Sequence, residues 1–198
     1  MQERSEITRK GIMQAAAELF SQTGFEAASV NDICAKADVS KGAFYHHFPS
    51  KQQLFLEIID EWLKGVDSQL FARNEAGNVP QSLTRMAKML GFIFEAASGQ
   101  LPMFMEFMVQ ASRDQAVWDA TIAPYRRYQG QFAQLIEKGK TEGSIGAEVD
   151  AQTASWVLMS LALGVLLQGV IDPTMADWNE VTRSGVQMIL DSIQRRKE

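Results

Sequence analysis

From one end of the chain to the other, apolar residues return every three or four positions, and no run alternates apolar with polar residues between hairpin turns. That spacing repeatedly sets one helix face against a core, so the expected fold class is all-α with about nine helices. The first stripe runs through Ile12, Ala15, Ala16, Leu19 and Phe20 and stops at Gly24, which takes positive φ without steric cost. Ser29, with Asp32 three positions on, forms an acidic variant of the capping box. It starts a short second helix lined by Val30, Ile33, Cys34 and Ala37. Ser40 caps a third helix, on which Phe44 and Phe48 lie four apart on the inner side. Pro49 ends it, and the pattern Ser50-x-x-Gln53 opens a long fourth helix whose stripe is Leu54, Phe55, Ile58, Ile59, Trp62 and Leu63.

Past residue 75 the texture changes. Gly77, Asn78 and Pro80 make a connector, after which methionine and phenylalanine become dense. Helices are expected near 80–98, 102–112, 115–141, 151–171 and 177–195, punctuated by Gly99, Pro102, Gly143, Gly146 and Pro173. The expected organisation is a three-helix head over 1–50, a connecting helix over 51–74 and a larger helical body over 75–198.

The run from Ala154 to Ile171 carries no charge and reaches the lower edge of a membrane span. Ser155, Ser160, Gln168, Gly164 and Gly169 interrupt it, and neither side has a Lys or Arg anchor. The expectation is a helix buried on nearly all sides, with no membrane partner. The one cysteine, Cys34, excludes an intrachain disulfide and reads as a small core residue in a reducing compartment. Residues 1–10 are mostly polar, which is unlike a secretory leader, so the expected location is the cytoplasm.

The informative element is the pair of short helices between Ser29 and Phe48. Two helices of about two turns, joined by Ala37-Asp38-Val39-Ser40, make a helix-turn-helix. Such a pair presents the start of its second helix to base edges in the major groove. Here that start reads Ser40-Lys41-Gly42-Ala43, and the outward face continues with Tyr45, His46 and His47. Gly42 and Ala43 let the helix backbone come close to bases; Ala43 suits a thymine methyl, and Lys41 a guanine acceptor or a phosphate. Ser29, Tyr45, His47 and Lys51 suit phosphates, Lys51 standing just after the Ser50 cap.

Charge agrees locally. The net charge of −5 argues against a generally nucleic-acid-binding surface. Yet between Lys36 and Lys51 three lysines and two histidines face one acid, Asp38, and residues 1–10 add Arg4, Arg9 and Lys10 against Glu3 and Glu6. There is no nucleophile motif, no phosphate-cradling glycine loop and no histidine-centred acid–base set, which weighs against an enzyme. Both histidines sit on the third helix without cysteine or histidine company, so no metal and no cofactor is expected. Glu95, Glu106, Arg126 and Arg127 are expected to face solvent.

These segments resemble the TetR family of transcriptional regulators. Ala16-Ala17-Glu18-Leu19-Phe20 with Gly24-Phe25 is similar to that family's first helix and its exit, and Ser29 to Ala37 to its second. Val39 to Phe48, followed by Ser50-Lys51-Gln52-Gln53-Leu54-Phe55, is similar to its recognition helix and the start of the next. Asp38 departs from the glycine often found in the turn, but Asp tolerates the left-handed conformation. The resemblance implies a homodimeric repressor that binds a near-palindromic double-stranded DNA operator and is released by a small, largely apolar effector. It implies pairing through the last two helices, for which Ala162, Gly164 and Gly169 allow close approach and Val181, Val186, Ile189, Leu190 and Ile193 supply an apolar stripe. It also implies an effector pocket in the body, with Met89, Phe92, Phe104, Phe107, Met108, Trp118 and Trp156 as candidate lining.

Overall fold

The computed structural model describes the backbone of residues 2–70, 77–97 and 101–194, and the side chains of residues 4–67, 77–89 and 104–194. The described residues form α1 (Gln2–Thr23), α2 (Val30–Ala37), α3 (Lys41–His47), α4 (Lys51–Leu70), α5 (Val79–Ala97), α6 (Leu101–Ala111), α7 (Gln115–Thr141), α8 (Ala151–Ile171) and α9 (Trp178–Ile193). Among them there is no strand, only an isolated bridge between Ile145 and Gln194. The chain is all-α, a helix-turn-helix head with a larger helical body.

Two compact units divide the chain: Met1–Gly65 with Gly99–Ile122, and Val66–Ser98 with Ala123–Glu198. The division does not follow the expected boundaries at 50 and 74. In the first unit Ile12, Ala16 and Phe20 of α1, Ile33 and Cys34 of α2, Phe44 of α3 and Leu54, Phe55 and Ile58 of α4 share one core with Phe107 and Ala111 of α6. Phe25, in the loop after α1, meets Phe20, Phe55 and Phe107 at centroid separations of 5.3, 5.2 and 5.0 Å. Three helices and the start of a fourth do not close over that ring cluster; α6 supplies the missing side.

In the second unit Val79, Leu83, Met86 and Ala87 of α5 meet Leu135 and Ile136 of α7, Ala151, Ala154 and Leu158 of α8, and Val186 and Leu190 of α9. Gln129 of α7 donates to the buried Ser155 hydroxyl of α8 at 2.9 Å. α8 is long and apolar enough to cross a membrane by length and composition, but it is not covered all round as expected. Trp156, Leu163, Leu167 and Ile171, spaced seven, four and four positions apart, form an open stripe on one side. On α9, Val181 and Met188 are likewise open, seven positions apart.

Candidate nucleic-acid interface

α2 is set by its caps. The Ser29 hydroxyl accepts the Asp32 N–H at 3.2 Å, and the Asp32 carboxylate accepts the Ser29 N–H at 3.0 Å and its O–H at 2.6 Å. The Ser29 hydroxyl and amide together hold the Asp32 carboxyl below the usual aspartate range. Both Ser29 donors are therefore spent on the cap. At the other end Asp38 adopts φ 53°, ψ 48°, so the turn is made in the left-handed region without glycine. The Val39 N–H then reaches the Cys34 carbonyl at 3.0 Å.

α3 starts where Ser40 accepts the Ala43 N–H at 3.1 Å. Phe44 and Phe48 are fully buried beneath it. Above them Lys41, Gly42, Tyr45 and His46 are exposed, and Ala43 and His47 are half-buried. Tyr45 stands edge-on to Phe44 with centroids 5.2 Å apart, so its ring is propped on the core while the residue stays exposed. Lys41 has no ion pair among the described residues. Gly42 is helical, and a Cβ built there meets only Ser40 Oγ, at 3.7 Å. Nothing within the chain requires a glycine at that position, and a helix interior is less stable for having one. The bare backbone faces outward.

The expected basic surround is partly neutralised inside the head. Lys36 Nζ lies 3.0 Å from Glu18 Oε2, and its hydrogen bond is the largest cause holding the Glu18 carboxyl below its ordinary value. Arg9 pairs with Glu57 and lies over the Phe48 ring at 5.5 Å. Lys51 is turned inward rather than toward a phosphate. Its ammonium donates to the carbonyls of Phe25 (2.7 Å), Glu26 (3.2 Å) and Ala28 (2.9 Å). It also lies 4.4 Å from the Phe25 ring centroid. Burial pushes the Lys51 pKa down, against the opposing pull of Glu26 and Glu106.

The candidates for an effector site are divided: three meet at one core and the others lie apart. Phe107 is fully buried in the first unit's core, and Phe104 and Trp118 pack against that core. Met89 packs against the second unit's core. Met108 is half-buried, Trp156 stands exposed 5.9 Å from the Tyr125 ring, and the Phe92 side chain lies outside the described residues. The groups expected at the surface include two that are engaged: Glu106 accepts the Phe25 and Glu26 amides, and Arg127 pairs with Asp67 at 2.8 Å. Asp67 also accepts the Tyr128 hydroxyl at 2.6 Å. Of the residues assigned to pairing, Val186 and Leu190 are buried in the second unit's own core, with Ile189 and Ile193 packed on it. Ala162, Gly164 and Gly169 are half-buried on α8. Four members of the α9 stripe thus face the core, whereas its fifth, Val181, stands open together with Met188.

Comparisons with known proteins match both parts of the chain. Residues 12–58 match the family model for bacterial regulatory proteins of the tetR family. Residues 84–193 match that for the C-terminal part of BetI-type transcriptional repressors. The transcriptional regulator UidR of Escherichia coli K12 is 29% identical over 166 residues, 84% of this chain and 83% of its own. The solved structure of Salmonella enterica GusR is 25% identical and superposes with a TM-score of 0.74, covering 93% of this chain and 95% of that one. The SmeT–triclosan complex has the same fold, with a TM-score of 0.78 at 20% identity, covering 96% and 92% of the two chains.

Proposed function

The chain belongs to the TetR family of bacterial regulatory proteins, a DNA-binding transcriptional regulator and not an enzyme, and from that premise we propose that it is a cytoplasmic, homodimeric repressor released by a small effector. The exposed face of α3 carries this reading. Lys41, Gly42 and Tyr45 stand outward over two buried phenylalanines, as a helix must that lays its first turn into a major groove. Ser40, Ala43, His46 and His47 complete the face, with Lys41 and Tyr45 as its polar contacts. Ser29 and Lys51 support it from within the head rather than by touching phosphate.

Repression is supported by the match of residues 84–193 to BetI-type repressors. The open stripe on α8 supports pairing of two copies, since contiguous apolar surface of that kind marks an interaction site. Two heads then meet successive major grooves of a near-palindromic operator, about 34–36 Å apart or a multiple of that. A modest number of phosphate contacts per head makes binding salt-sensitive and dependent on both heads acting together.

The effector reading draws on the complex of SmeT with triclosan. In this chain an effector in the body acts through α4, where Asp67 is held by Arg127 and Tyr128 of α7. Because the effector must favour the spacing that does not fit DNA, its own affinity falls when the operator is bound. Fluorescence anisotropy with DNA from upstream of the protein's own gene tests the function. Specific binding that weakens with salt supports it, and absence of specific binding at low salt refutes it.

A further inference from the structure

Glu106 lies on α6, 81 positions along the chain from Phe25, yet its carboxylate closes on the loop that leads into the helix-turn-helix. Oε2 accepts the Phe25 N–H at 3.0 Å and Oε1 accepts the Glu26 N–H at 2.7 Å. From the opposite polarity, Lys51 of α4 takes the carbonyls of Phe25, Glu26 and Ala28. Gly24 permits the approach: its φ is +87°, and a Cβ there would sit 2.7 Å from Glu106 Oε2. The segment joining α1 to α2 thus has donors held by one helix and acceptors by another, and charged partners make such bonds stronger than neutral ones. It ends at Ser29, the cap of α2, and α2 passes through the Asp38 turn into α3. Phe107, the next residue on α6, supplies apolar anchorage, while Glu106 supplies the two hydrogen bonds to the loop.

We propose that Glu106 is a positioning residue for DNA binding: through the Phe25 and Glu26 amides it sets the direction in which α2 leaves the loop, and with it the presentation of α3 to the groove. The inference rests on the DNA-binding reading above. The sign of the effect separates positioning from simple electrostatics. Neutralising a carboxylate on a protein that binds a polyanion strengthens binding if charge alone matters. Removing a positioning clasp weakens it.

The test uses the full-length protein and upstream DNA at fixed salt. Glu106→Gln keeps the shape but turns an NH2 group toward one of the two N–H donors. Operator affinity is expected to fall about tenfold, with helix content kept and amide exchange at Phe25 and Glu26 accelerated. Gly24→Ala displaces the same carboxylate from the loop side and should move affinity in the same direction, which gives a second route if Glu106→Gln folds poorly. Equal or tighter binding by folded variants overturns the inference, as does fast exchange of both amides in the wild type. A wild-type chain that binds no DNA sinks the regulator reading and this inference together. A wild-type chain that binds while the variants match it sinks the inference alone.

Discussion

Phe107 stacks on Phe55 with ring centroids 4.1 Å apart and planes 23° from parallel, so a residue of α6 completes the core beneath the helix-turn-helix. Phe107→Ala removes a fully buried ring that also touches Phe25. The expected cost is about 3–5 kcal/mol, and thermal melting should show one lowered transition. Because the cavity opens under the α1–α2 loop, operator affinity should fall with stability at temperatures where the variant remains folded. A variant as stable as the wild type would remove α6 from the head's core.

Gly42→Ala separates folding from recognition. The position is helical with open space around it, so alanine should stabilise the protein by up to about 1 kcal/mol. If the α3 backbone approaches the bases as proposed, the added methyl would intervene and DNA affinity should drop. Lys41→Ala and Tyr45→Ala should also weaken binding without changing the melting temperature, and Lys41→Ala should reduce the salt slope by about one if it contacts a phosphate. Denaturant melts run beside anisotropy titrations read both quantities. A Gly42→Ala protein that melts higher and binds equally well would clear this face of any close approach to DNA.

Tyr128 gives a pH signature. Burial, followed by its hydrogen bond to Asp67, holds its phenol above the ordinary value of 10.0. The neutral phenol is the form that donates, so its stabilising contribution is whole below pH 10 and declines as pH rises from there toward the native value. Tyr128→Phe should cost about 1–2 kcal/mol near neutrality. It should also remove the late-ionising fraction from an alkaline absorbance titration of the folded protein. An unchanged titration curve would contradict the Asp67 contact.

Leu163→Glu places a charge in the open stripe of α8, where the wild-type side chain is 46% exposed in the single chain. The substitution should leave the monomer's stability within about 0.5 kcal/mol but shift light scattering from dimer to monomer. Operator affinity should then collapse, since a single head has too few contacts. Dimeric Leu163→Glu protein would move the pairing surface elsewhere.

Local chemistry was legible in the sequence where a residue acts on its near neighbours. The Ser29–Asp32 box, the Ser40 cap, the Asp38 turn and the inward Phe44 and Phe48 all follow from spacing of four or fewer positions. What escaped depends on contacts across the chain. Lys51 reads as a phosphate ligand because it follows a cap, but a four-carbon stem also reaches the carbonyls after α1. Phe107 and Trp118 are named as pocket lining through the family resemblance, and the structure packs them in or against the head's core. On α9, helical periodicity identified an apolar stripe without revealing whether the core or a second copy covers it. The core covers Val186 and Leu190 but leaves Val181 open.

The core shared by Phe25, Phe55 and Phe107 has a practical consequence for anyone grafting this regulator's specificity onto another. A fragment ending after α4 would leave those rings wet and the loop amides without their carboxylate. The reading head is therefore no portable cassette of leading residues: a transplant has to bring α6 along, or supply a host helix with an acidic side chain and an aromatic one side by side.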